Sequence, residues 1–177
     1  IVLPVGADTV YVDDVGVDNH VVDDFENLPL GTPPSGNDAD GLGVGYLTFA
    51  GSGSSVAAAV EDTPPAPVTT EFGEGNAALK VDMDVDSFAG VVHAFPNEAL
   101  DEWVSQDWTA WEGLGFWLHG QGSGTGLFID LIENRALDST GDDAERWSVA
   151  LVDDFSGWRY FEFAFDEIAD RFLNFLL

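Results

Sequence analysis

Hydrophobic and polar positions alternate most clearly over residues 79–86. Leu79, Val81, Met83 and Val85 fall on one side, and Lys80, Asp82, Asp84 and Asp86 on the other. A period of two predicts a strand with one face in a core and the other, here an acidic ladder, in water. Three further apolar runs, at 113–119, 126–132 and 158–165, are rich in aromatic and β-branched residues and are separated by Gly, Ser, Asn and Asp. They read as strand and turn in succession. In LGFWLH and LFIDLI the bulky residues are almost continuous, which predicts strands covered on both faces or nearly so; around Glu162 the run alternates, so one face is wetter. GYLTFA and SSVAAAVED predict two strands joined by a Gly-Ser turn. GQGSGTG at 120–126 lacks the Lys-Ser/Thr ending of a phosphate loop and has no helix after it, so it reads as a hairpin turn.

The two ends are less regular. Residues 1–19 predict a strand, a Gly-Ala-Asp turn and a second strand, TVYVDDVGV. Two consecutive aspartates among β-branched residues are costly in a strand unless something binds them. Residues 28–45 and 63–76 are Pro- and Gly-containing connectors, and 96–106 is a loop with a helical turn that places Trp103 near the surface. At the far end Ile168, Phe172 and Leu176 recur at helical spacing, and the apolar close FLNFLL makes the tail a candidate interface.

Composition narrows the class. With 177 residues, 45% of them apolar and 12% aromatic, the chain is one domain with a real core and is not disordered. It has no cysteine, so disulfides and thiolate chemistry are excluded. No apolar run is long enough to span a membrane. The opening IVLP lacks the flank and length of a signal peptide and reads as a mature piece or an excised domain. The charge alters the picture most: 33 acidic residues face 5 basic ones, a net −28, with Lys80 the only lysine. Such a surface repels phosphates, so nucleic acid and anionic membranes are poor partners. It suits a protein adapted to salty water, and its carboxylates also suit calcium, a hard cation that takes oxygen ligands.

DWTAWEGLGFWLHGQGSG, LIENR, GDDAERW and GWRYFEFAFDEI, together with VDDFE at 22–26, resemble the core of the family 11 carbohydrate-binding modules and of the related mitochondrial complex I intermediate-associated proteins. The resemblance runs from about Val22 to Arg171. It implies an all-β fold, a single jelly-roll β-sandwich of the galactose-binding type, and a non-catalytic module that binds polysaccharide. A segment like VYVDDV forms the last strand in such folds, yet here it comes first, while the tail stops short. The head, 1–19, is therefore either a self-completing end of the module formed by 20–177, the edge of an excised tandem repeat, or a strand donated to a neighbouring copy. The last would make the chain a structural repeat of an extracellular array or filament.

Two constellations follow. Asp13, Asp14, Asp23, Asp24 and Glu26 would gather at one sheet edge if the head docks beside the strand at 20–24, and similar jelly rolls carry a structural Ca²⁺ there. On the concave face that the resemblance implies, Phe88, His93 and Trp103 would stack on sugar rings while Glu133, Arg135, Asp143, Arg146 and Arg171 bond the hydroxyls. By that match Asp143 takes the place of the family's ligand-binding aspartate and Arg171 that of an arginine. Phe88 and His93 stand where family members use tyrosines. Trp111, Trp117, Trp147 and Trp158 read as core. The three histidines, 20, 93 and 119, lack metal-ligand spacing, and among 33 acids a glycosidase-like pair carries no signal. The expected setting is extracellular or at the cell surface, beside an attached glycoside hydrolase.

Overall fold

A computed structural model of the chain describes residues 6–18, 20–26, 46–65, 77–95, 97, 99, 104–133 and 145–166. They form ten strands: β1 (Gly6–Val17), β2 (His20–Asp23), β3 (Tyr46–Ala50), β4 (Ser55–Glu61), β5 (Ala78–Val85), β6 (Ala89–His93), β7 (Gly113–Gln121), β8 (Gly126–Glu133), β9 (Glu145–Val152) and β10 (Ser156–Ala164). One layer is a six-stranded antiparallel sheet ordered β10-β7-β1-β5-β4, with β2 attached to β1. The pairs β3-β6 and β8-β9 are two separate two-stranded sheets that pack against its core side. This is the jelly-roll β-sandwich that the resemblance implies.

The core lies between the layers. Val10 and Val17 of β1, Leu79 and Val81 of β5, and Leu114, Phe116 and Leu118 of β7 meet Tyr46 of β3, with Phe25 beside them. Val91 of β6, Leu127, Ile129 and Leu131 of β8 and Leu151 of β9 pack on this cluster from the other layer. The alternation read at 79–86 is what the fold uses. Val81 and Val85 are buried, whereas Asp84 and Asp86 are exposed.

Four expectations are corrected. Gly6, Ala7 and Asp8 are not a turn: they continue β1 opposite Val85, Asp84 and Met83 of β5, because pairing with a long neighbour satisfies their backbone groups. β1 is no edge strand, since it lies between β5 and β7 of its own chain. GQGSGTG is not a hairpin turn between paired strands: β7 pairs with β1 and β10, β8 pairs with β9, and the loop crosses from one layer to the other. β8 is not covered on both faces, since Ile132 is exposed. The tail beyond Asp166 lies outside the described residues.

The crossover loop is held by one side chain. Asp153 is completely buried, and its carboxylate accepts hydrogen bonds from the backbone N–H groups of Gln121 (3.0 Å), Gly122 (3.1 Å) and Ser123 (3.1 Å) and from the Ser123 hydroxyl (2.9 Å). The successive amides form an anion cradle. It is filled by the chain's own carboxylate, the physical reason this glycine-rich loop is not a phosphate site.

Candidate functional site

The sandwich leaves an outward side on each of the two small sheets, and one cluster stands on each. The first is a pair of phenyl rings. Phe49 is the next-to-last residue of β3 and Phe88 precedes β6; they are 41% and 43% exposed, with ring centroids 6.3 Å apart. Adjacent open rings make a small apolar patch on this sheet. Two glycines let them lie against the backbone. A Cβ on Gly90 would come within 2.7 Å of the Phe49 ring, and one on Gly51 within 2.7 Å of the Phe88 ring. The second cluster is polar. On β8 and β9, Asp130 accepts a 2.5 Å hydrogen bond from the Ser148 hydroxyl and lies 3.7 Å from the Arg146 guanidinium. The register puts Asp130 opposite Ser148 and Ile132 opposite Arg146, all turned away from Leu131, Ile129 and Val149. Flat apolar rings together with a hydrogen-bonding carboxylate, hydroxyl and guanidinium can take a neutral polyhydroxylated chain.

Of the residues expected at a sugar site, the structure exposes Phe88, beside β6, and Arg146, on β9. His93 is placed differently. It stacks on Tyr46 at 4.2 Å and 13° and touches Phe95 behind it, on the core side of β6. Burial holds its pKa below the ordinary value, against the pull of Asp23. The Tyr46 hydroxyl donates to Asp23 at 2.5 Å, and burial first, then Asp23, pushes its pKa up. Trp103, Arg135, Asp143, Arg171 and the side chain of Glu133 lie outside the described residues. Phe49, Asp130 and Ser148 were not singled out from sequence. Alternation in YLTFA and LFIDLI was the available signal, but it could not say which parity faces out.

The carboxylates of the head lie elsewhere, around a bulge. β1 does dock beside β2, Val15 opposite Asp23, but the registers of β1 with β2 and with β7 both shift within 13–16, and Asp14 adopts φ +49°. The left-handed residue breaks the alternation, so both Asp13 and Asp14 are buried, at 2% and 1% exposure. Burial first, then the charge of Asp14, and after it those of Glu26 and Asp24, pushes the Asp13 carboxyl up to about 7. Four of the five carboxylates also accept a backbone N–H. Asp13 accepts from Asp14 N–H, Asp23 from Phe25 N–H, Asp24 from Glu26 N–H, and Glu26 from Ala77 N–H. Among the described residues no three His, Asp or Glu side chains are gathered to hold one metal ion.

Trp111 is set against the core and stacks on His20. Trp117 and Trp158, expected in the core, are not among the residues that form it or pack on it. The registers that pair Trp117 with Asp13 and Trp158 with His119 set them on the outer face of the six-stranded sheet instead.

A family model described as a carbohydrate binding domain (family 11) matches residues 15–174. The match omits most of β1, the strand at the centre of the larger sheet. No curated protein and no solved structure matches the chain.

Proposed function

Because the chain belongs to the family 11 carbohydrate-binding domains, a family that is non-catalytic in general, we propose that it is a module without enzyme activity that binds a neutral, β-glucan-type polysaccharide. The observation that carries this reading is the open Phe49–Phe88 ring pair, backed by glycines, with the polar cluster of Asp130, Ser148 and Arg146 on the other small sheet as a second element. A net charge of −28 favours an uncharged glycan over an anionic one. Asp143, matched to the family's ligand-binding aspartate, adds a further hydroxyl partner. Retardation in native gels containing soluble β-glucan tests the reading. The wild-type chain migrates more slowly in glucan gels than in plain gels, and Asp143→Ala recovers much of the lost mobility while staying folded. Equal mobility in every gel overturns it.

The head strand is read as self-completing, supported by its pairing with β5 and β7 of the same chain. The setting proposed is extracellular or cell-surface, in salty water, where the module holds an attached glycoside hydrolase near its substrate.

A structural Ca²⁺ at the bulge is a further part of the reading. The ion would have to draw together carboxylates that stand ungathered in the structure; the reading is supported by two consecutive buried carboxylates with Asp24 and Glu26 near enough to repel Asp13, and by an all-oxygen donor set that suits calcium. Bound only by the folded chain at 100 times its Kd, the ion adds about 2.7 kcal/mol, so EDTA lowers Tm by about 5–10 °C for a chain of this size. Identical melting curves in EDTA and in calcium remove the metal.

A further inference from the structure

We propose a second carbohydrate-binding face, on the outer surface of the six-stranded sheet, centred on Tyr11, Trp117, His119, Trp158 and Tyr160. It lies on the layer opposite Phe49 and Phe88 and goes beyond the function proposed above. Strand register assembles it. Tyr11 of β1 stands opposite His119 of β7, which stands opposite Trp158 of β10; in the next row Asp13 is opposite Trp117 and Trp117 opposite Tyr160. Their even-spaced neighbours Leu114, Phe116 and Leu118 point into the core, so these rings point out. The rings meet at angles: Tyr11–His119 at 5.7 Å and 86°, His119–Trp158 at 5.3 Å and 75°, Trp117–Tyr160 at 5.4 Å and 54°.

Polar atoms say what kind of occupant this face lacks. Trp117 Nε1, Trp158 Nε1 and His119 Nδ1 are shut off from water and have no hydrogen-bond partner. An unmet buried polar group costs about 1–3 kcal/mol, and three on one face is more than a structure retains without a reason. Indole N–H groups only donate, so an occupant that reaches them by displacing the neighbouring rings must carry acceptors. Burial keeps the pKa of His119 below its ordinary value, so the ring is neutral at pH 7. Lys80, opposite Tyr11 on this face, is already paired with Asp82 at 2.8 Å, so the face does not call for an anion.

Beside the rings the sheet opens into a groove of about 660 Å³ whose wall includes Thr9, Ser55, Asp82, Asp84 and Gln121. Thr9 and Gln121 sit two residues along from Tyr11 and His119, and Gln121 Nε2 donates to the Thr9 carbonyl at 2.8 Å. Across the groove β4 offers Ala57, which leaves room. Hydroxyl, amide and carboxylate groups in a groove, continuous with aromatic rings that have spare donors and carry no positive charge, fit a neutral sugar chain. An anionic polymer would meet Asp82 and Asp84.

Calorimetric titration with a soluble mixed-linkage β-glucan hexasaccharide, paired with NMR of the indole N–H signals, tests this. Wild type takes up two equivalents. Phe49→Ala/Phe88→Ala keeps one, and that one still shifts the Trp117 and Trp158 indole signals. Trp158→Phe keeps the ring stack but removes one spare donor. It leaves Tm unchanged or higher and weakens the second site about ten-fold. If the chain's own residues supplied the acceptor, Trp158→Phe would lower Tm and leave glucan binding untouched, which overturns the proposal. One equivalent, abolished by Phe49→Ala/Phe88→Ala with unmoved indole signals, overturns the second face and leaves the first. One equivalent, indifferent to those phenylalanines and weakened by Trp158→Phe, does the reverse. No binding at all overturns both.

Discussion

Asp153 shows how much one side chain can organise. Its burial alone would raise its pKa, but hydrogen bonds from Ser123, Gln121 and Gly122 outweigh that and hold it below the ordinary carboxylate value. With the folded value below the unfolded one, its contribution to stability is complete above the unfolded pKa, about 3.9. That contribution is lost as pH falls through the folded value. Asp153→Asn removes the charge that these donors converge on, and hydrogen bonds to charged groups are worth about 1.5–3 kcal/mol. The variant should melt about 5 °C lower near neutral pH and show a shallower decline in acid, both measurable by scanning calorimetry from pH 7 to pH 3. At this scale the sequence was partly legible. The strain of placing Asp13 and Asp14 among valines was visible, but its resolution, a bulge with Asp14 in the left-handed region, depends on two neighbouring strands that no local pattern names. Trp117 and Trp158 were misplaced for a related reason: on a central strand such as β7, apolar residues point both ways. Which way is core depends on the other layer.

Among the elements, alternation identified the two faces of β5 correctly because its polar side is almost entirely charged. It could not identify partners. β3 and β4, neighbours in sequence, belong to different layers, as do β7 and β8, since short Gly-containing links serve a crossover as well as a hairpin. The head is the clearest case. Its likeness to a final strand was readable, but not its position between β5 and β7, because strand order is a long-range property. That position has a consequence. Removing residues 1–17 would strip hydrogen-bond partners from both β5 and β7 and expose Val81, Leu114 and Phe116. The truncated chain is expected to lose its cooperative melting transition, followed by near-ultraviolet circular dichroism. A shortened chain that melts as sharply as the full one would contradict the central role of β1.

At the scale of the whole molecule, charge dominates. At net −28 the folded chain repels itself, and added salt shortens the screening length from about 10 Å at 0.1 M to about 3 Å at 1 M. Tm should therefore climb by several degrees between those concentrations of sodium chloride, with most of the gain at the low end. A flat or falling Tm would show that the carboxylates are not acting through mutual repulsion. On the proposed reading that the head completes its own sheet, the chain is expected to be a monomer at every calcium and salt concentration, which light scattering measures directly. Open-ended growth would instead show strand donation between copies. The fold family and the sugar-binding class were legible because the aromatic and glycine spacing of the core motifs is dictated by the sandwich. The binding face was less so, because its loops carry side chains whose neighbours are set only after folding.

The measurement that tests the account most directly is calorimetric titration of the first face alone. A soluble β-glucan oligosaccharide is added to wild type and to Phe49→Ala/Phe88→Ala at matched salt. The account predicts saturable binding by wild type and loss of one equivalent, or at least a ten-fold weakening, which is about 1.4 kcal/mol, in a variant whose Tm is little changed. Equal affinity and stoichiometry in the two proteins, or no saturable heat in either, would contradict it.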